Sequence, residues 1–107
     1  MAATDSGEAP RLGDSLVTSN PRGVEVWFTL PRKAEGSDGK PCIERGLEIR
    51  QRGTRIPVPL LYTGEPPIML NDSTMRAVLW NHCQRVDFYL VDLRTGRPVR
   101  ERRSGTP

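Results

Sequence analysis

His82 and Cys83 carry the most obvious chemical potential in this chain: its one histidine stands beside one of its two cysteines, the other being Cys42. An imidazole that takes a thiol proton makes a nucleophile, and imidazole with thiolates makes a zinc site. The spacing works against both. Adjacent residues point to opposite faces of a strand and lie about 100° apart on a helix, so His82 does not address its neighbour. One histidine and two cysteines also fall short of the four ligands of a closed zinc site. A thiol enzyme centred on Cys83 is therefore the last of three functional readings, and no catalytic, metal or cofactor-binding residue is assigned. Glycine patterns that cradle phosphates (GxGxxG, GxxxxGK[ST]) and the GxSxG nucleophile turn are absent. Asp87 and Asp92 have opposite strand parity and do not form a carboxylate pair.

Arginines form the second chemical group. Arg50, Arg52 and Arg55 surround a Gln51–Thr54 turn, and from Arg94 onward Arg94, Arg97, Arg100, Arg102 and Arg103 are opposed only by Glu101. The chain as a whole, with 16 Lys and Arg against 13 Asp and Glu, reaches only +3, so its basic excess sits at the C-terminal end. Such an end can hold phosphates or an acidic protein surface. Nucleic-acid binding would also need stacking rings. Of Trp27, Phe28, Tyr62, Trp80, Phe88 and Tyr89, most lie in apolar runs that a core would absorb. Trp27 and Trp80 occupy the more polar faces of their segments and are the candidate contact rings.

The elements that must position these residues read as β. Val24, Val26, Phe28 and Leu30 alternate with polar neighbours, a strand that Pro31 is expected to end. A polar connection with a Ser37-Asp38-Gly39 turn follows, about ten residues long and expected to be a mobile loop. Ile43 to Arg50 alternates again, with Arg45 out of pattern. Pro57 and Pro59 lack amide donors on the same side of an extended segment, which makes it an edge strand. Val86, Phe88 and Leu90 fall on one face of the next strong segment and Tyr89, Val91 and Leu93 on the other, the pattern of a central strand covered on both sides.

Residues 72–83 are ambiguous. As a helix they would align Met75, Val78, Leu79 and Cys83; as a strand they would pair with the segment after an Asn81–Gln84 loop. Neither Gly nor Pro occurs between Asp72 and Leu93 to stop a helix, which favours the hairpin. Gly96 is free to take positive φ in the turn after it. The expected fold is mainly β, a small antiparallel sandwich or barrel of five to six short strands, with an α+β form carrying one helix at 72–83 as the alternative.

The domain organisation follows from composition. Residues 1–22 read as a disordered N-terminal tail, 23–102 as one β domain and 103–107 as a flexible end. No apolar run approaches the roughly 18 residues that would suggest a membrane span, and MAATDSGEAP has no signal-peptide pattern. A cytoplasmic location is expected, with Cys42 and Cys83 as free thiols packed like small apolar groups. The leading functional expectation is a non-catalytic protein-interaction or assembly module that contacts another protein or a second copy of itself. The alternative is polyanion or nucleic-acid binding through the arginines.

Overall fold

The computed structural model describes residues 13–101. Alternating apolar side chains organise them into eight strands: β1 (Ser15–Ser19), β2 (Glu25–Glu35), β3 (Pro41–Gln51), β4 (Thr54–Pro57), β5 (Ile68–Met69), β6 (Thr74–Asn81), β7 (Gln84–Asp92) and β8 (Pro98–Arg100). β1 to β4 form one antiparallel meander and β5 to β8 a second, each in sequence order. The mainly β sandwich read from the sequence is the observed fold, with eight strands rather than five or six and no helix among the described residues.

The two sheets meet through one core. Val24, Val26, Leu47 and Ile49 of the first sheet pack against Met75, Ala77, Val91 and Leu93 of the second. Burial of each large side chain here is worth roughly 1.5–3 kcal/mol. The segment between β4 and β5 adds Val58 and Leu61 to that core and then laces the sheets together. Thr63 exchanges two backbone hydrogen bonds with Arg45 of β3, at 2.8 and 2.9 Å, while the Trp80 amide of β6 donates to the Tyr62 carbonyl at 2.7 Å. One side of the sandwich is thereby partly closed, towards a barrel.

Several expectations are corrected. The sheet begins at Ser15, ahead of Gly23, because Ser15 to Ser19 pair with β2. Residues 1–12 of the expected tail, and the end from residue 102, lie outside the described residues. Pro31 does not end β2. Leu30 takes φ 44° and the register slips between Thr29 and Arg32, so the proline's missing donor falls at a bulge and the strand continues. The expected long loop consequently shrinks to the turn between Glu35 and Pro41, closed by Gly36 N donating to Lys40 O at 3.0 Å.

The helix alternative at 72–83 is replaced by β6, whose Met75, Ala77 and Leu79 face the core with the period of a strand. The four-residue loop expected after it is a two-residue turn, His82-Cys83, since Asn81 already pairs with Gln84. Pro57 does lie on an edge: β4 is the last strand of its sheet. Cys42 and Cys83 are not free thiols. They form a disulfide across 6.0 Å between Cα atoms, joining β3 of one sheet to the β6–β7 turn of the other.

Candidate functional site

β7 has two apolar faces, and they are covered unequally. Tyr89, Val91 and Leu93 turn into the core. Val86, Phe88 and Leu90 turn outward, where no third layer lies among the described residues, and Val86 is 55% exposed. The neighbouring strands extend this face. Leu90 lies between Arg76 of β6 and Val99 of β8, and Arg76 is opposite Ile68 of β5. Ile68 and Val99 are 61% and 60% exposed, so a row of Ile68, Leu90 and Val99, interrupted by Arg76, crosses the sheet at the level of Leu90. Outer faces of antiparallel sandwiches are ordinarily polar, and this one is not.

Charged groups border the row in satisfied pairs. Arg76 holds Glu101 with two hydrogen bonds of 2.9 and 3.0 Å and lies 4.8 Å from the centre of the Phe88 ring. On the opposite face of the sheet, Arg100, paired with Tyr89, donates to Asp87 at 2.9 Å. At the far end, Glu65 accepts from Trp80 Nε1 at 2.7 Å and from both Nε and Nη2 of Arg85 at 2.7 Å. Gly64 lies against the Trp80 ring so closely that a Cβ there would be 2.7 Å from it. Trp80 is thus half-buried, one face against backbone and its indole N–H satisfied. Its position is the border of the apolar face and not a free stacking platform.

Trp27, the other candidate ring, is on the outer face of the first sheet. Its indole N–H donates to Glu25 at 2.9 Å, and the Arg50 guanidinium lies 4.2 Å from its centre. Arg50 is bonded to Glu48 and Asp14. The Glu48 hydrogen bond, followed by the bond to Asp14, raises its pKa above the ordinary arginine value against the opposing effect of burial, so it is a committed cation already neutralised by carboxylates.

Arg52 and Arg55 share a shallow hollow with Trp27 and Arg50, and among the described residues neither has a carboxylate partner. Arg94 stands 3.8 Å from Asp92, beyond hydrogen-bond reach, and lines a hollow with Arg52. Arg97 is exposed in the turn before β8. Arg102 and Arg103 lie outside the described residues. The arginines read as one C-terminal group are therefore divided: Arg94 joins Arg52 at one end of the sandwich, while Arg100 is paired on the second sheet.

His82 is exposed at the tip of the β6–β7 hairpin. Cys83 is disulfide-bonded, which leaves no thiolate for it to activate in the oxidised protein. No cluster of three or more metal-ligating His, Cys, Asp or Glu residues occurs among the described residues, nor is any helix there long and apolar enough to cross a membrane.

Sequence reasoning missed Glu44, which has no exposed surface and sits beside the disulfide. It accepts from Arg32 at 2.8 Å and from the Cys83 amide at 3.0 Å; Arg32 in turn lies 4.0 Å over the Tyr62 ring. The one sequence signal near it was the broken alternation at Arg45. Comparison with family models, with curated proteins and with solved structures returns no match, so the geometry alone supports any functional reading.

Proposed function

We propose that this protein is a non-catalytic assembly module whose contact surface is the outer face of the second sheet, and that the occupant of that face is a second copy of the chain. The observation that carries this reading is the half-exposed apolar outer face of β7, adjoined by Val99 and, across Arg76, by Ile68 on the edge strands. Contiguous exposed apolar surface on a small domain marks a contact site.

Charge favours self-association over a strongly acidic or basic partner. Arg76 and Arg85 are balanced by Glu101 and Glu65 around the row, and a two-fold interface requires that each patch complement itself. Burying Ile68, Leu90 and Val99 against the same residues of a partner removes them from water without leaving a single-signed rim unmatched.

The disulfide bears on where the module works. A cytoplasmic location was expected with both cysteines as thiols, whereas a structural disulfide persists in oxidising compartments. We therefore place its site of action in an oxidising compartment.

Sedimentation velocity at two well-separated concentrations tests the assembly. The expected result is a concentration-dependent shift towards twice the 12.0 kDa chain mass, abolished by Ile68→Glu/Val99→Glu. A chain that stays monomeric at the higher concentration, or a dimer indifferent to that double substitution, overturns the reading.

A further inference from the structure

At the end of the sandwich formed by the β3–β4 and β7–β8 turns, two adjoining hollows of about 440 and 340 Å³ share Gln51, Leu93 and Arg94. Val24, Ile49 and Leu93 lie buried beneath the lining, and half-buried Ile56 is the apolar side chain that the second hollow presents. Their rim is basic, with Arg22 and Arg94 on one hollow and Arg52 and Arg94 on the other.

Two of these cations are available. Asp92, the nearest acid to Arg94, already accepts the Arg94 backbone amide at 2.7 Å, and the guanidinium is 3.8 Å away. Arg52 has no carboxylate partner among the described residues. Arg22, by contrast, is held by Asp72 at 2.9 Å.

Arg52 is one of five non-glycine residues with positive φ among the described residues. It occupies the first position of a two-residue turn, φ 49°, followed by Gly53 at φ 78°. That geometry favours Asn or Gly in a hairpin, and an arginine there is a poor choice for folding alone. Unfavourable backbone conformations of this kind collect at binding sites.

We infer that this end cleft binds a small organic anion, one with an apolar body that rests on Ile56 and an anionic group held between Arg52 and Arg94. Inorganic anions lack the first feature and large polyanions do not fit the hollow. The site is separate from the proposed assembly face and does not depend on it.

Naphthalene-2-sulfonate is a suitable probe, read by amide chemical-shift changes in the full-length protein. The expected result is saturable binding with shifts centred on Gln51, Arg52, Leu93 and Arg94. Arg52→Asn should weaken it by about tenfold, the size of one charge-assisted hydrogen bond, and Arg52→Asn/Arg94→Ser should abolish it. Because Asn suits the turn better than Arg, the single variant should unfold at a higher temperature than the parent, so lost binding cannot be ascribed to lost folding. Absence of saturation into the millimolar range overturns the inference. So does binding unchanged in the double variant, or inorganic sulfate or heparin producing the same shifts at lower concentration.

Discussion

Glu44 is a carboxylate with no exposed surface, sited where both sheets and the disulfide converge. Its two oxygens are used differently: Oε1 meets the Arg32 guanidinium and Oε2 caps the Cys83 amide. Removing it leaves a part-buried N–H and a guanidinium without their acceptor at once. Glu44→Ala is expected to cost about 1–3 kcal/mol in urea denaturation, the range for losing part-buried hydrogen bonds to a charged group, because the Arg32 left behind is half-exposed. Glu44→Gln keeps an acceptor for Cys83 and should cost distinctly less. Gly96 is the opposite kind of residue, needed for what it lacks. Its φ is 75° and a Cβ would come within 2.6 Å of Ile56 Cγ2 and 3.0 Å of the Pro57 carbonyl. Gly96→Ala should therefore destabilise by roughly 2–4 kcal/mol, from unfavourable φ and from overpacking against backbone, again read by urea midpoint. The first half of that argument was legible in the sequence as a turn glycine. The second was not, because Ile56 and Pro57 belong to the other sheet.

The β6–β7 hairpin places two non-glycine residues at positive φ in succession, His82 at 51° and Cys83 at 65°. Such a turn persists when its surroundings over-determine it. Here the Glu44 carboxylate fixes the Cys83 amide and the disulfide fixes its side chain. His82 has no such anchor, so His82→Asn should stabilise the protein by about 0.5–1 kcal/mol, measured as a higher denaturant midpoint with unchanged slope. The disulfide closes a sequence separation of 41 residues, for which loop-closure entropy predicts about 4 kcal/mol. Reduction, or Cys42→Ser/Cys83→Ser, should lower unfolding stability by up to that amount. A loss below about 1 kcal/mol would show that the hairpin and Glu44 suffice without it. The hairpin itself was legible: no helix stop separates residue 72 from residue 93, and the strand parity of Met75, Ala77 and Leu79 is the observed one. Its tightness and its cross-link were not. Alternation within a segment reports faces, and the cysteines meet only because the connection through Tyr62 and Thr63 fixes how one sheet lies on the other.

For the molecule as a whole, both apolar faces of β7 could be read from its residues, and the reading implied a cover on each side. The chain supplies one. With its first meander used to bury Val91 and Leu93, it shows no further layer among the described residues for Phe88, Leu90 and Val86. The proposed second copy would supply that cover, and thermal stability would then depend on protein concentration. A dimer that survives to the onset of unfolding gains stability by mass action. A tenfold increase in concentration should raise Tm by roughly 3–5 °C in a domain of this size. The same increase should leave the Tm of Ile68→Glu/Val99→Glu unchanged, since both side chains are exposed in the single chain and their replacement removes only the contact. If parent and variant melt at one concentration-independent temperature, the outer face is a tolerated apolar surface. If the parent alone responds, β7 is buried on both sides in the assembled protein.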